Sequence, residues 1–600
     1  MRQAAAASPG EVTTFLGVER SALGRRWVER TTNASEVLAI AQRLNTHEII
    51  ARLLNARGVT ASQAQAYLNP TLKADLPDPS LVTDMDHAAG RLALAIISGE
   101  SVAIFGDYDV DGATSSALLA RYLRAVGLSP IVYIPDRLTE GYGPNVPAMS
   151  KLASGGAKVI VTVDCGTQAH EAIEAASALG ADVIICDHHL PASTLPKAFA
   201  IVNPNREDDT SGLGQLAAIG VAFLLCVALN RELRRRGFFE GRLAPDLRKW
   251  LGIVSLGTVA DVVPLTGVNR TFVLRGLEAI RDGAVPGLGA LVEVGRLNGA
   301  IEPYHLGFVL GPRVNAGGRV GRCDLGTRLL STDSMSEARE IAQELDVLNQ
   351  ERRAIEQKMQ DEAIGLVESS PALRASHVLV VAHEGWHPGV IGIVASRLKE
   401  RYNRPAIVIA TNNGVGKGSG RSVSGVDLGS AIVAAREAGL LINGGGHAMA
   451  AGLTADPSKI EALRAFLSDT LAADCLASSE GKVLVIEGAM AAGGASIEFC
   501  DLVARCGPYG AGNHEPVFAL PGMRVAYASI VGEQHVRCTL QGRDGARISG
   551  IAFRAVHSEL GPLLLQSRGR DIHVAVTLKA DEWQGQRRVQ AMIRDAVFAG

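Results

Sequence analysis

One stretch, Val102-Ala103-Ile104-Phe105-Gly106-Asp107-Tyr108-Asp109-Val110-Asp111-Gly112, limits the choice of fold more than any other. Its apolar start, residues 102–105, reads as a buried strand of a parallel sheet. Three carboxylates follow at alternate positions, Gly112 ends the run, and residues 113–126 read as an amphipathic helix. Open α/β sheets place ligands at the C-terminal ends of their strands, which is where these carboxylates fall. Like charges this close repel, so the cluster makes physical sense with a cation among them. Taken alone, an acidic turn capping a helix would explain the motif better; the His and Asp clusters further along the chain outweigh that reading.

Short apolar runs at 102–105, 131–134, 159–163, 183–186 and 200–202 alternate with helical segments, the pattern of a doubly wound parallel sheet. A chain of 600 residues is too long for one core. The expected order is an N-terminal helical segment (1–80), an α/β catalytic domain (81–333), a connecting helix (334–370), a second α/β domain (371–476) and a C-terminal OB-like β-barrel (481–600). In the connecting helix Ser334-x-x-Glu337 reads as a capping box. Ala338, Ile341, Ala342, Leu345, Leu348, Ile355, Met359 and Ala363 form its narrow apolar stripe, which lapses between Leu348 and Ile355. At 1.5 Å per residue it would span roughly 50 Å and bridge two domains across a cleft. Residues 414–420 and 444–446 read as glycine-rich loops, and short β-like runs after 481 suggest the barrel.

Bulk properties narrow the function classes. Hydrophobic content of 47% with 20% charged residues excludes a disordered chain. A net charge of -3 gives no sign of a polyanion partner, yet a nucleic-acid enzyme can concentrate its basic groups in one groove. The eight cysteines form no C-x-x-C pair, which argues against a zinc ribbon or a disulfide scaffold and for a reducing, cytoplasmic setting. No signal-peptide core is expected at the N-terminus, and the most apolar run, 221–229, is too short to cross a bilayer.

Three further clusters carry chemistry. Val163-Asp164-Cys165-Gly166 and Cys186-Asp187-His188-His189 each follow an apolar strand and so land on the edge that holds Asp109 and Asp111; Gly257-Thr258-Val259-Ala260-Asp261 ends a helical segment. Four carboxylates with an imidazole suit two divalent cations about 3.5–4 Å apart, the arrangement that clamps attacking and leaving oxygens in displacement at phosphorus. Carboxylates with His favour manganese, with magnesium as substitute. Residues 414–421 are glycine-rich with a lysine, but Gly418 follows Lys417 where a Walker loop needs Ser or Thr, which argues against a nucleoside triphosphate site.

These motifs in this order resemble the DHH phosphoesterase superfamily and, within it, the bacterial single-stranded-DNA-specific 5′-to-3′ exonucleases. Tyr142 in Gly141-Tyr142-Gly143 and Asn203-Pro204 fit the intervening motifs. Trp386-His387-Pro388-Gly389, Gly418-Ser419-Gly420-Arg421-Ser422 and Gly444-Gly445-Gly446-His447 are similar to the DHH-associated domain, and Gly507-Pro508-Tyr509-Gly510 to the C-terminal OB segment. The resemblance implies metal ligands Asp109, Asp111, Asp164, His188 and Asp261, with Asp164 as bridge to two Mn2+ or Mg2+ ions. It implies His189 beside the scissile phosphate and Asp107 acting behind the ligands. Some superfamily members carry a His four positions before the first ligand aspartate; Phe105 stands there here, which predicts one weakly held ion.

Arg137, Arg313, Asn315, Arg319, Ser419, Arg421, Gly445, Gly446 and His447 are the candidate substrate-binding residues. Ser419 and Arg421 alternate and can face one side; arginine forks suit phosphate oxygens, and glycine lets backbone N–H groups approach them. Arg313, Asn315 and Arg319 are expected in an open loop. The partners implied are single-stranded DNA, a single-strand-binding protein and a helicase, with no membrane. Alternatives are a phosphodiesterase for very short oligonucleotides or cyclic dinucleotides, a pyrophosphatase, and a non-catalytic DNA-binding scaffold.

Overall fold

The computed structural model describes residues 14–137, 139–412, 414–479, 482–583 and 586–599. Its described residues form two compact units, one within 75–479 with 510–512, the other within 14–74, 482–509 and 513–599.

In the larger unit, β1 (Val102–Gly106), β2 (Ile131–Tyr133), β3 (Val159–Val163), β4 (Asp182–Cys186) and β5 (Ala200–Val202) form an all-parallel sheet in the order β2-β1-β3-β4-β5. β1 and β3 are buried throughout, as continuous apolar runs require when helices cover both faces. The helix expected after Gly112 starts earlier, at Val110, as α1 (Val110–Ala125), with Asp109 as its N-cap. Two further helices close around the sheet edge, α2 (Ala218–Arg235) and α3 (Leu251–Ala260). α4 (Gly311–Val320) continues a short helical turn that begins at Pro303.

α5 (Met335–Ser369) is the single 35-residue helix that the spacing predicts. Only half of its capping box forms. Ser334 Oγ accepts from Glu337 N, but the Glu337 carboxylate turns away to accept from Thr332 Oγ1 at 2.6 Å and from Arg328 at 3.2 Å. The front of the stripe, Ala338 to Leu345, is buried in the first part of the unit, while Met359, Ala363 and Val367 join the core of the second α/β layer. The lapse in the apolar pattern is filled by buried Asn349 and Arg352.

That second layer is a mixed sheet of β6 (Leu379–Glu384), β7 (Ala406–Asn412), β8 (Val415–Arg421), β9 (Asn443–His447) and β10 (Ala450–Ala455), ordered β9-β10-β8-β7-β6, with α6 (Ile391–Tyr402) packed on it. The two glycine-rich segments are strands, not loops. A Cβ on Gly416, Gly418 or Gly420 would lie 2.9 Å from Ile409, 2.5 Å from Leu453 or 2.7 Å from Leu428. Glycine is needed because β8 presses one face directly onto that apolar layer, and this leaves Lys417, Ser419 and Arg421 on the other face.

The smaller unit contains the expected barrel: β11 (Phe518–Val531), β12 (His535–Gln541), β13 (Arg547–Ala552), β14 (Asp571–Trp583) and β15 (Gln586–Phe598) pair in the order β11-β12-β13-β15-β14, and β14 closes on β11. The N-terminal residues are not a helical segment apart. Val37, Ile40, Ile50, Leu53 and Leu54, from helices Ala34–Leu44 and Glu48–Asn55, share one core with Phe518, Leu520, Val536 and Val574. A strand, Arg26–Glu29, pairs in parallel with Val483–Ile486, and buried Asp595 accepts hydrogen bonds from Ser21 and Trp27. Helices this short bury too little surface to stand alone, so they complete the barrel's core. Among the described residues no helix is long and apolar enough to cross a membrane.

Candidate metal centre

In the strand order β2-β1-β3-β4-β5 the chain reverses direction across the sheet between β1 and β3, and a crevice opens at such a switch point. Asp107 and Asp109 leave β1 there, Asp164 leaves β3, and Asp187, His188 and His189 leave β4. Asp164 takes a left-handed backbone, φ 61°, a conformation that costs a non-glycine residue energy and turns its carboxylate sharply at the end of the strand. Asp261 arrives as the C-cap of α3. That helix can lie against α1 because residue 257 is glycine; a Cβ there would sit 2.3 Å from Thr114 Oγ1 and 3.2 Å from Asp111 Oδ1.

Fixed backbone donors hold the carboxylates. Asp109 Oδ1 accepts from Asp111 N at 2.9 Å and Gly112 N at 3.1 Å. Asp111, 1% exposed, accepts from Ala218 N at 2.7 Å and Ile219 N at 2.9 Å, at the N-terminus of α2, where the helix dipole favours negative charge. His188 Nδ1 lies 3.1 Å from the Leu216 carbonyl, so that nitrogen carries the proton and Nε2 presents its lone pair. Nε2 is 3.3 Å from Asp164, 3.7 Å from Asp261 and 3.8 Å from Asp111. His189 Nδ1 is instead held by Asp187 at 2.8 Å, and Asp187 also accepts from Thr167 Oγ1. The Tyr142 hydroxyl donates to the Asp164 carbonyl at 3.2 Å and sits 3.4 Å from the His189 ring nitrogens.

Burial and mutual repulsion dominate the electrostatics. Burial first, then Asp109, pushes Asp111 up to about 7. Burial, then Asp111 and Asp109, pushes Asp261 up to about 9. Asp107 and Asp164 rise well above the usual carboxylate range for the same reasons. Burial and the neighbouring His189 push His188 down to about 4, so it is a neutral donor at physiological pH. Burial also opposes the charge on Asp187, but the hydrogen bond and charge of His189 override it and bring Asp187 down to about 2.

The residues fit divalent cations. Asp107 Oδ1, Asp164 Oδ1 and His188 Nε2 are buried with no hydrogen-bond partner among the described residues. Unpaired buried polar atoms are costly, and three at one edge call for a ligand. Donor atoms of Asp111, His188 and Asp261 lie within 4.8 Å of one another, as do those of Asp107, Asp109 and Asp164; Asp164 also groups with His188 and His189. Asp164 belongs to two of these groups, and the donor set suits Mn2+ or Mg2+.

The candidate cationic residues divide. Arg137 lies over the Tyr108 ring, 5.1 Å from its centroid. Residues 311–320 are a helix, not an open loop, so Asn315 and Arg319 share a face one turn apart while Arg313 points elsewhere. Arg313 pairs with Asp346 at 2.9 Å and donates to the Val309 carbonyl. Arg319 donates to Gly389 O at 3.0 Å, tying α4 to the second layer. Burial and the nearby Arg137, Arg352 and Arg421 push Arg319 down to about 10. Arg421, also lowered by burial and then by Arg137, donates to Ser419 Oγ at 3.0 Å. Register places Ser419, Gly452 and Gly445 in one row and Arg421, Ala450 and His447 in the next, so these side chains share a face, which open space at Gly445 and Gly452 leaves flat. Gly446 faces the other way, where a Cβ would meet Ala450 and Ala451.

Sequence reasoning did not single out Arg352, although the lapse in the α5 stripe marks its place. Its guanidinium bonds Asn349 and Glu356, and Glu356 pairs with Arg397. It also left Thr167 aside, and it used Asn203 only as a motif residue; Asn203 donates to Thr167 Oγ1 and to the His189 carbonyl, fixing the turn that aims both histidines.

Three family models match the chain: the DHH family N-terminal domain over 101–258, the DHHA1 domain over 375–473 and the RecJ OB domain over 486–595. The single-stranded-DNA-specific exonuclease RecJ of Escherichia coli is 38% identical over 558 residues, 91% of this chain and 95% of its own. The chain belongs to the RecJ family. RecJ of Dickeya dadantii is likewise 38% identical, over 91% of this chain and 95% of its own. The crystal structure of RecJ from Thermus thermophilus in complex with Mn2+ superposes with a TM-score of 0.79 at 28% identity, covering 95% of this chain and 79% of that one. As a RecJ-family member, the chain is a nuclease of the DHH phosphoesterase kind, and its barrel is the OB domain that the resemblance implied.

Proposed function

We propose that this chain hydrolyses single-stranded DNA from the 5′ end in recombination and repair, with the edge of β1, β3 and β4 as its hydrolytic centre. The observation that carries the assignment of the centre is the convergence of Asp107 Oδ1, Asp164 Oδ1 and His188 Nε2, buried and unpartnered, at the sheet's switch point. Asp109, Asp111, Asp164, His188 and Asp261 would hold two divalent cations, with Asp164 between them. When bound, such a pair makes water a nucleophile at neutral pH and neutralises the charge that builds on the attacking and leaving oxygens.

The protein's own part is positioning. Leu216 fixes the His188 tautomer, and the α2 N-terminus fixes Asp111. Asp187 keeps His189 oriented and favours its charged form, so His189 can face a phosphate oxygen. Arg319, Arg421, Ser419, Arg137, Gly445 and His447 would grip the terminal phosphate and the adjoining backbone; Arg313 would not, because Asp346 holds it. A single-strand-binding protein and a helicase are the partners this reading implies, in the cytoplasm.

A phosphodiesterase for very short oligonucleotides has no use for the barrel, and a scaffold has no use for a complete carboxylate set. The test is a long single strand labelled at either end, incubated with manganese beside duplex and dinucleotide controls. Early release of the 5′ label as mononucleotide, with duplex spared, is the expected result. Cleavage of the dinucleotide alone would favour the short-substrate enzyme, and no cleavage of anything the scaffold.

A further inference from the structure

We infer that Lys417, Asn443 and Thr454 form a second anion subsite, outward of the terminal phosphate, and that the chain accepts single strands ending in a 5′-triphosphate. The inference rests on reading the face of Arg421 and Ser419 as the grip for a 5′ end. Strand register carries it. Lys417 pairs with Thr454 across β8 and β10, and Thr454 with Asn443 across β10 and β9, so the three form the row beside Ser419, Gly452 and Gly445. Side chains two residues apart on a strand share a face, with roughly 6.8 Å from one row to the next. Arg421 ends β8 close to Arg137 and Arg319, and Lys417 lies further out along the same strand. The Arg421 guanidinium leans back on Ser419 Oγ at 3.0 Å, so the terminal-phosphate grip centres on the Ser419 row, one row from Lys417. The backbone between is bare: a Cβ on Gly445 or Gly452 would meet nothing within 4 Å. Linked phosphates can run over it from one row to the next.

The outer row offers donors. The exposed Lys417 ammonium donates to Thr454 Oγ1 at 3.3 Å and pairs with no carboxylate among the described residues. Accepting that bond leaves the Thr454 hydroxyl its own proton to donate. Asn443 Oδ1 accepts from Gly444 N at 2.8 Å, which leaves the amide NH2 as its free end. An ammonium, an amide NH2 and a hydroxyl select an anion, and continuity with Arg421 selects one carried on the 5′ end. The grip comes from side chains of three strands, so Gly418 after Lys417, which argues against a Walker loop, is no obstacle here. Hydrolysis is the ordinary one. The water oxygen joins the phosphorus of the second nucleotide, the bond from that phosphorus to the first nucleotide's 3′-oxygen breaks, and this oxygen takes up the proton. The first product is a nucleoside triphosphate, and the strand keeps a 5′-monophosphate.

Two synthetic single-stranded DNAs of one sequence, ending in 5′-monophosphate or 5′-triphosphate, test this with the full chain. In manganese, wild-type protein should cleave both with kcat/KM values within about 3-fold of each other. The first product from the triphosphorylated strand should elute from anion exchange as a nucleoside triphosphate. Lys417→Ala should lower kcat/KM for that strand by about 10–100-fold, as loss of a charge-assisted contact does, and change the monophosphorylated strand by less than about 3-fold. Lys417→Arg should restore most of the loss. Fluorescence anisotropy of the labelled strands on metal-free protein makes the same comparison without turnover: the triphosphorylated end should bind about 10-fold tighter, and Lys417→Ala should erase the difference. Cleavage of the monophosphorylated strand with the triphosphorylated one spared overturns the subsite and leaves the nuclease standing. No change in Lys417→Ala, or equal losses on both strands, overturns it too, the latter by making Lys417 a contact to the strand at large. Cleavage of neither strand overturns the end-acting nuclease itself, and the subsite falls with it.

Discussion

At the ends of β1, β3 and β4, negative side chains are driven together and buried, while across β8, β10 and β9 cationic and small polar side chains are spread over an open face with glycine between them. The carboxylate edge holds buried unpartnered atoms, and the glycine face holds none among the described residues. The carboxylate edge carries repulsion that bound protons or metal cations relieve, which suits it to hold divalent ions. The glycine face keeps its arginine half-shielded and leaves space beside it, a surface that suits an extended anion. Arg319, bonded to Gly389 and close to Arg137 and Arg421, belongs to both. Under the proposed function, the two layers would divide the reaction between bond breaking and strand holding.

The largest effect that would separate these roles comes from Asp164→Ala. Nucleotide release from an end-labelled strand should fall by at least about 1,000-fold while single-strand binding persists; substantial turnover with manganese would break the division. Next in size, Arg421→Ala should weaken 5′-phosphorylated ends by about 10–100-fold, as loss of charge-assisted hydrogen bonds does, with internal strand affected less. Equal loss for both would assign the glycine face to the strand at large. Protonation sharpens the contrast further. The ordinary Asp value is 3.8, but Asp111 and Asp261 sit near 7 and 9 in the fold. Between those limits the native state keeps protons that the unfolded chain has released, so stability falls as pH rises through that window. Metal-free protein should lose on the order of 5 °C in Tm between about pH 5.5 and 8.5, and manganese should restore most of it. A flat metal-free profile would mean the carboxylates do not repel as described. The smallest effect is Arg313→Ala, expected to change kcat/KM by less than about 3-fold and to cost about 1 kcal/mol of stability through lost Asp346 pairing.

The parallel sheet was legible because fully buried strands write themselves as unbroken apolar runs, and the long helix because its stripe repeats. The glycine-rich segments misled for a physical reason. Glycine marks loops by its backbone freedom, yet in β8 it is required by the closeness of Leu453, Leu428 and Ile409, none of which is near in sequence. Arg313, Asn315 and Arg319 misled in the same way: Gly311, Gly317 and Gly318 suggested an open loop, whereas a helix gives the two arginines different faces. The N-terminal helices gave no sign that their partner core lies some 450 residues away (Val37 with Phe499, for example).

Sequence by itself determined which side chains could do chemistry here, because strand-end aspartates and paired histidines are local patterns set by neighbouring residues. Only the tertiary structure decided which of them meet. Asp107 joins Asp109 and Asp164, Asp111 joins His188 and Asp261, and Arg313 goes to Asp346. Distances between residues far apart in the chain are fixed by how sheets and helices pack, and packing is a property of the whole core that no single motif carries.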